Sequence, residues 1–448
     1  MKPQKPQKPP RQLSRRELLA SSAAFSAAWL LSGCATNPVT GQSQLMLVSE
    51  AQEIEIDRTS SPHQIASDYG LGQDGRLNDY LTETGRRLAS ITHRPRMPYS
   101  FRCVNAPYVN AYAFPGGTIA ITRGILLQLE SEAELAALMG HELGHVNARH
   151  TAEQMTTGSL AQLLIGGLAV ASGGGELAAQ LGGLGAGALL AKYSRDNERE
   201  ADGLGMEYMV RAGYSPQGFI DLMDMLRTSS KESPGALEVM FSTHPMSQER
   251  YQNALQLAQR HAGSRGLPLH RDRYMDHTAH LRSMRKTIEL EQKGEELLAK
   301  KRLPEAEQAY RSAIAESPND FAGQAMLAKC LLMQKKIDEG ADYARQAKAI
   351  APNEAMGYHL SGFAAIAQKN YQEALDDYRQ YDRLLPGNPN TAFFMGYANE
   401  GLRRIDEAAR HYSRFLQSVR QGEQAKHASQ RLVDWGYVAK PAPRPTGR

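Results

Sequence analysis

The sequence predicts an α+β unit, mostly helical with a small sheet, followed by an all-α solenoid built from short helical repeats. Two short runs at 99–105 and 118–122 have the composition of β-strands, and they precede a long helical segment. In the second half, small residues, tyrosines and prolines recur every 34 residues, which is typical of paired-helix repeats. The chain has 448 residues, 41% of them apolar and 22% charged, which suits more than one globular unit.

Residues 1–33 are expected to be an export signal. They contain six basic residues and one acidic residue, a balance of +5, so the rest of a chain whose total charge is +4 carries −1. That remainder gives no reason to expect a nucleic-acid partner. The apolar run 18–31 is too short and too rich in Ser and Ala for a comfortable membrane span.

The end of this signal predicts a lipid anchor. Residues 14–19, Ser-Arg-Arg-Glu-Leu-Leu, resemble a twin-arginine export signal, although a plain basic region also fits. Residues 31–34, Leu-Ser-Gly-Cys, resemble a bacterial lipobox in which Cys34 is lipidated, the alternative being an incidental cysteine. Ala35 resembles the residue found there in lipoproteins sorted to the outer membrane. The expected location is the periplasm, tethered to the outer membrane through Cys34.

The other two cysteines, Cys103 and Cys330, fall in different predicted units and lack metal-ligand spacing. An oxidising compartment would allow a disulfide between them, but two buried free thiols are favoured.

Before the central helix, residues 46–95 are predicted to be helical, because leucines recur there at helical spacing. The strand-like runs follow. The sequence Pro-Gly-Gly at 115–117 predicts a turn after Phe114, so the residues before that turn should lie near an edge of the sheet.

The next segment is expected to form a metal-binding helix. Ser131 and Glu134 have the spacing of a capping box that opens a helix. On this helix His141 and His145 lie one turn apart on the same face, while Glu142 points about 100° away, toward a reacting water. The pattern is typical of catalytic zinc, with one Zn²⁺ per chain. The alternative is a surface helix with two solvated histidines.

A catalytic zinc site keeps three protein ligands and one open position, so a third ligand is required. The nearby position used by metzincins is Thr151, which excludes that class. The acidic segment 194–202 is the best candidate, because Ser194 can cap a helix on which Glu198 and Asp202 share one face. Glu198 can then bind the metal while Asp202 accepts the outer N–H of a ligating histidine. A charged, solvated helix face is the alternative.

Residues 158–191 are rich in Gly, Ala and Leu, with Glu176 as their only charge. A membrane hairpin is conceivable, but the strongest apolar run is about half the length that a span needs. Soluble helices flanking the cleft, suited to act as a lid, are favoured.

The motif His141-Glu142-x-x-His145, followed by Glu198-x-x-Ala201-Asp202, resembles peptidase family M48. Residues 110–117 with 122–124 resemble the strand and turn before the zinc helix of that family, and Thr243-His244-Pro245 with Arg250 resembles its downstream motif. The match runs over roughly residues 45–260 and includes four motifs in the order of the family.

This resemblance implies a zincin-type metalloprotease domain over residues 34–262. It implies the following roles: His141, His145 and Glu198 as zinc ligands, Glu142 as general base, Asp202 as an outer partner, and His244 and Arg250 near the open zinc position, where either could stabilise the oxyanion. It also implies that the edge formed by Asn110, Ala111, Tyr112, Ala113 and Phe114 binds substrate through main-chain pairing. A structural hairpin is the alternative for that edge.

Residues 287–438 look like four tetratricopeptide repeats, after a polar linker at 263–286 and before a disordered Pro-rich tail at 439–448. Four sets of positions keep the period of 34: Gly294, Ala328, Gly362 and Gly396; Ala306, Gly340, Ala374 and Ala408; Tyr310, Ala344, Tyr378 and Tyr412; Pro318, Pro352 and Pro386. Small residues let paired helices approach, tyrosines fill the groove, and prolines end each second helix. Such stacks bind a protein or peptide, unless they are an inert spacer or a dimerisation element.

The combination of an M48 domain, a lipoprotein signal and a repeat array resembles envelope proteases of this family. It implies a zinc-dependent endopeptidase in quality control or assembly of outer-membrane β-barrel proteins, with the repeats docking substrate or assembly machinery. The alternative is a repeat-based chaperone or scaffold for that assembly, with latent or secondary proteolysis.

Overall fold

The computed structural model describes residues 34–165, 193–232 and 234–438. The predicted signal and tail, and most of the proposed lid, lie outside these residues. The first unit contains, in chain order, β1 (Cys34–Thr36), β2 (Ser43–Leu45), α1 (Glu50–Ser67), α2 (Gly75–Ala89), β3 (Ser100–Val104), β4 (Ala111–Ala113), β5 (Thr118–Thr122), α3 (Arg123–Gln128), α4 (Glu132–Asn147), α5 (His150–Ile165), α6 (Arg195–Arg211), α7 (Gln217–Glu232), α8 (Pro234–Thr243), α9 (Gln248–Arg260) and α10 (Arg271–Ser283).

The second unit consists of helices throughout its described residues: α11 (Arg285–Ala299), α12 (Leu303–Glu316), α13 (Phe321–Met333), α14 (Ile337–Ile350), α15 (Ala355–Ala367), α16 (Tyr371–Leu384), α17 (Pro389–Gly401), α18 (Ile405–Ser418) and α19 (Glu423–Asp434). The prediction of a mostly helical unit with a small sheet, followed by an all-α repeat unit, is confirmed.

The small sheet has the order β3-β5-β4. Strands β3 and β5 are parallel, with Phe101 opposite Ile119, and β4 pairs antiparallel to β5, with Tyr112 opposite Ala120. A turn at Pro115–Gly117, in which Gly117 has a φ of +108°, joins β4 to β5. Strand β4 is therefore an edge strand of this sheet.

Helix α4 forms the centre of the first unit, and every one of its residues is buried. Ser131 caps it, because its hydroxyl accepts the backbone N–H of Glu134 at 3.2 Å. The expected reciprocal half of the capping box is shifted by one residue. The carboxylate of Glu134 accepts the N–H of Glu130 at 3.0 Å and the hydroxyl of Ser131 at 2.9 Å.

The predicted linker at 263–286 instead contains helix α10. Its apolar stripe explains the difference, because Tyr274 is fully buried and Leu281 nearly so, against the first unit. The Tyr274 hydroxyl donates to the carbonyl of Leu126 at 2.6 Å. The polar residues around this stripe made the segment look like a solvated connection.

The repeat positions contact one another as the period predicts. A Cβ added to Gly294, Gly362 or Gly396 would lie 2.3 to 2.9 Å from a ring atom of Tyr310, Tyr378 or Tyr412, respectively. The glycines are therefore needed for the tyrosine rings to fit between paired helices. In the second repeat Ala344 takes the tyrosine position, so Ala328 can carry a Cβ opposite it. Residues 301, 335, 369 and 403, also 34 apart, are left-handed turn residues.

A buried ionic cluster joins the two units. The Arg123 guanidinium lies 2.8 Å from a carboxylate oxygen of Glu291 and 2.6 Å from one of Asp320. The Tyr69 hydroxyl also donates to Glu295 at 2.8 Å. Because buried charges are costly unless paired, this cluster fixes the first repeat against the first unit.

Cys103 and Cys330 are both buried and free, as predicted. Within the described residues, none of the helices combines the length and apolar character needed for a membrane span.

Candidate metal centre

Close packing of two helices brings the predicted ligands together. A Cβ on Gly205 of α6 would lie 2.9 Å from the backbone nitrogen of His141, and one on Gly144 of α4 would lie 3.0 Å from backbone atoms of Ala201. Small residues at these crossing points let α6 approach α4 backbone to backbone. Helix α6 is capped by Ser194, as predicted, and its first turns face the histidines of α4.

Four side chains form a group that can hold one metal ion: His141, His145, Glu198 and His244. The Nε2 atoms of His141 and His145 are 3.1 Å apart, and His145 Nε2 lies 3.5 Å from Glu198 Oε1. His244 Nδ1 is 3.0 Å from Glu198 Oε1 and 3.4 Å from His141 Nε2. All four residues are buried.

These distances fit a tetrahedral zinc ion. Zinc bonds to His nitrogen or carboxylate oxygen of about 2.0 to 2.1 Å give a tetrahedron with edges of about 3.3 Å. The distances between donor atoms given above are close to that edge length. The donor set, three imidazoles and one carboxylate, is of the type that binds zinc. Burial also holds the pKa of His145 well below its usual range, helped by the neighbouring histidines, so its ring is neutral as a ligand must be.

Glu142 is 1% exposed, and neither of its carboxylate oxygens has a hydrogen-bond partner among the described residues. Its Oε1 lies 3.9 Å from His244 Nε2, beyond hydrogen-bond distance. Burial raises the pKa of this carboxyl above its usual range, against the attraction of the neighbouring imidazoles. A buried carboxylate without a partner is costly and marks a site where a ligand or water supplies the missing contacts.

Asp202 and Arg250 support the group from outside. Asp202 Oδ1 lies 3.0 Å from His141 Nδ1, the outer nitrogen of that ring. Arg250 donates to both oxygens of Asp202, at 2.8 and 2.7 Å, and its third nitrogen lies 2.5 Å from Glu198 Oε2. Burial alone would raise the pKa of Asp202, but the Arg250 ion pair lowers it to about 2. Arg250 is thus committed to two carboxylates, while the oxyanion role stays a prediction.

His244 follows α8 and comes closer to the group than the sequence motif indicates. Its ring is one of the four possible ligands, so an ion bound by all four side chains would lack the open position that a catalytic zinc site keeps. The cavity beside it, lined by residues that include Leu138, Met240 and His244, has a volume of about 20 Å³. That is room for about one water molecule and not for a peptide.

The predicted substrate edge, residues 110–114, is edge strand β4 and its neighbours. The side chains of Tyr112 and Phe114 are 3% exposed, and the Tyr112 hydroxyl donates to Asp68. Their side chains are therefore part of the core. A substrate could reach this strand only through its backbone groups, as main-chain pairing requires.

Two contacts of His145 had no signal in the sequence. Tyr193 stacks on the His145 ring, with the two ring centroids 3.8 Å apart. The Nδ1 atom of His150 lies 2.9 Å from Nδ1 of His145. Tyr193 precedes the cap of α6, and His150 opens α5, so both depend on tertiary packing rather than on helical spacing.

Comparison with known proteins agrees with this geometry. The model of "Peptidase family M48" matches residues 76–258, and a tetratricopeptide-repeat model matches residues 297–360. The β-barrel assembly-enhancing protease of Escherichia coli is 28% identical over 229 residues, 49% of this chain and 46% of that protein. This chain thus spans less than half the length of that curated relative.

A shorter relative is covered more completely. The metalloprotease YcaL of Escherichia coli is 32% identical over 176 residues, which are 38% of this chain and 68% of YcaL. Among solved structures, the tetratricopeptide-repeat protein YrrB aligns with 46% of this chain and 97% of its own, at 14% identity and a TM-score of 0.31. The family model and this relative show, in agreement with the four-residue donor group, that the chain belongs to peptidase family M48.

Proposed function

We propose that this protein is a zinc-dependent endopeptidase of the cell envelope, acting in quality control or assembly of outer-membrane β-barrel proteins. One observation carries the proposal: the carboxylate of Glu142, which has no hydrogen-bond partner among the described residues, lies buried beside a group of His and Glu donors with tetrahedral spacing. A structural zinc site does not require a free carboxylate beside its ligands, whereas hydrolysis requires a general base at that position.

The chain supplies most of the mechanism. His141, His145 and Glu198 would hold the ion, which when bound polarises the scissile carbonyl and makes a water more acidic. Glu142 takes a proton from the attacking water onto a carboxylate oxygen and returns it to the leaving amine. Asp202, whose Oδ1 lies 3.0 Å from His141 Nδ1, orients that ring and favours the tautomer with its proton on Nδ1.

The site as described is closed. If all four donors bind the ion, no position is left for substrate, and the adjacent cavity among the described residues has room for about one water. Cleavage therefore requires the His244 segment to move away from Glu198, which makes the protease latent until a substrate or partner favours the open form. Latency suits an enzyme that works among unfolded chains, because an open site would degrade them without selection.

Partners and location follow from the other parts of the chain. The repeats provide a surface of stacked helices of the kind that binds proteins and peptides, and a relative is named for β-barrel assembly. Lipidation of Cys34 and export, by the twin-arginine or the general route, would place the chain in the periplasm at the outer membrane.

The presence of four possible protein ligands also favours a second function. A zinc ion with four protein ligands stabilises a fold, so the first unit could serve as a folded base for a repeat-based chaperone or scaffold. Proteolysis would then be secondary.

An experiment in cells separates the two functions. A strain lacking the protein receives wild type, Glu142→Gln, or the control Glu83→Gln, whose carboxylate is exposed in the same unit. The protease function predicts that unassembled outer-membrane β-barrel proteins persist with Glu142→Gln and are cleared by the other two chains. Equal clearance and assembly with all three chains would reject proteolysis and favour the scaffold.

A further inference from the structure

His145, a ligand in the proposed metal site, has an outer partner that sequence spacing does not reveal. Its Nδ1 lies 2.9 Å from Nδ1 of His150. The other nitrogen of His150, Nε2, lies 3.3 Å from Oε2 of Glu200. His150 is 1% exposed, while the Glu200 side chain is 32% exposed, so this chain of contacts runs from the metal site toward solvent.

The direction of the hydrogen bonds follows from which nitrogen faces the site. Nε2 of His145 points to the other donors, at 3.1 Å from His141 Nε2. When that nitrogen binds a metal, the ring proton is on Nδ1, which donates to Nδ1 of His150. The proton of neutral His150 is then on Nε2, where it is donated to the Glu200 carboxylate. In this arrangement every nitrogen of the two rings has a partner.

A local backbone feature places His150. Helix α4 ends at Asn147, and Arg149 adopts a left-handed conformation with a φ of +62°, which is uncommon for a residue other than glycine. Helix α5 then begins at His150 in a new direction. Arg149 is held in this conformation because its Nε lies 3.1 Å from Glu53 Oε1, and its Nη2 donates to the carbonyl of Val48 at 2.7 Å.

Strain at a buried position persists only where the surrounding contacts hold it in place. Here the contacts come from α1 and the residue before its cap, far away in the sequence. As a result, the imidazole of His150 contacts that of His145, five residues earlier in the chain.

We propose that His150 and Glu200 are positioning residues of the metal site, which fix the tautomer and ring orientation of His145 as Asp202 does for His141. Helix α6 thereby serves both histidines: Glu198 joins the donor group, Asp202 supports His141, and Glu200 supports His145 through His150. The inference deepens the proposed function, because it rests on metal binding by this group, but it does not require proteolysis.

The test measures zinc affinity of the purified full chain by competition with a chromophoric chelator. Removing an outer partner of a metal-bound histidine weakens binding by about 10- to 100-fold, and we expect that loss for His150→Ala. His150→Asn should recover most of it, because its side-chain oxygen can still accept the His145 proton. Glu200→Gln should have a smaller effect in the same direction.

A spectroscopic readout distinguishes positioning from general stability. The visible absorption bands of bound Co²⁺ report ligand geometry, so they should shift in His150→Ala and return toward wild type in His150→Asn. The control is His359→Ala, which removes another buried histidine from the repeats, where it packs on Tyr378 and Phe394. That variant should lose stability but keep zinc affinity and the Co²⁺ spectrum.

Zinc affinity of His150→Ala within threefold of wild type would overturn the inference, as would His150→Asn binding as weakly as His150→Ala. If His150→Ala does not fold, His150→Asn and Glu200→Gln decide alone: an unchanged Co²⁺ spectrum and zinc affinity in Glu200→Gln would reject the positioning of His145 through His150 and Glu200. A wild type that binds no zinc would overturn the metal site itself. Tight zinc binding with no cleavage by either the wild type or the opened variant His244→Ala would reject the proposed protease and leave this inference standing.

Discussion

His244 Nδ1 lies 3.0 Å from Glu198 Oε1, so an imidazole from the segment between α8 and α9 shares the donor group with residues of α4 and α6. This contact makes His244 a possible fourth ligand, which the sequence motif alone did not suggest. It also makes the state of the site depend on where one short segment lies.

Removing that ring should open the site. If the closed form exceeds the open form by about tenfold, His244→Ala raises peptide cleavage about tenfold and weakens zinc binding. A fluorogenic peptide assay with parallel zinc titration measures both, and Ser242→Ala, an exposed neighbour, serves as control. A fall in cleavage as large as in Glu142→Gln would instead assign His244 to the chemistry.

Two glycines on α6 make a matched pair. Gly205→Ala puts a Cβ 2.9 Å from the backbone nitrogen of His141, so it should separate α6 from α4, cost about 1 to 3 kcal/mol and weaken zinc binding. Gly203→Ala meets open space and should stabilise the helix by about 0.5 to 1 kcal/mol. Thermal unfolding and chelator competition check both. Equal behaviour of the two variants would reject the role of close helix packing.

The Arg123 cluster should couple the two units. Arg123→Ala leaves the carboxylates of Glu291 and Asp320 buried without their cation, at a cost of about 3 to 5 kcal/mol. We expect calorimetry to show the first unit and the repeats melting separately. Arg311→Ala, on a partly exposed repeat arginine, should cost less than about 1 kcal/mol. A single transition at the wild-type Tm in Arg123→Ala would contradict this coupling.

Glu354 makes stability depend on pH. Burial raises the pKa of this carboxyl to about 7, although the N–H of Leu71 donates to it at 3.0 Å. A carboxyl whose pKa is higher in the folded than in the unfolded state binds more protons when folded, so its contribution to stability falls as pH rises from about 4.5 to 7 and is constant above.

Glu354→Gln keeps an acceptor for Leu71 and has no charge to bury. It should therefore exceed wild type in stability by roughly 1 to 2 kcal/mol at pH 8 and match it near pH 4, as measured by denaturant unfolding at both values. A stability difference that is the same at both pH values would contradict the raised pKa.

Sequence reasoning predicted the parts of the candidate site that depend on helical spacing. His141 and His145, one turn apart, and Glu198 and Asp202, also one turn apart, meet in the structure because each pair lies on one face of a helix. The period of 34 likewise located the repeats, since each glycine and tyrosine pair recurs in register.

The parts that were missed depend on where the chain turns. The contact of His150 with His145 follows from one left-handed residue, Arg149, and that of His244 with Glu198 joins residues 46 apart in the sequence. Helix α10 was missed because polar residues surround Tyr274, whose burial depends on its packing against the first unit. None of these features has a periodicity that a sequence can display.

The central claim is that Glu142 acts as the base of a zinc peptidase. Its most direct test is casein cleavage by the purified chain, with zinc content measured on the same samples, for wild type, chelated wild type and Glu142→Gln. The account predicts that chelation abolishes cleavage and that Glu142→Gln retains zinc while losing roughly 10²- to 10⁴-fold in rate. Cleavage by Glu142→Gln at the wild-type rate, or cleavage that survives complete removal of zinc, would contradict it.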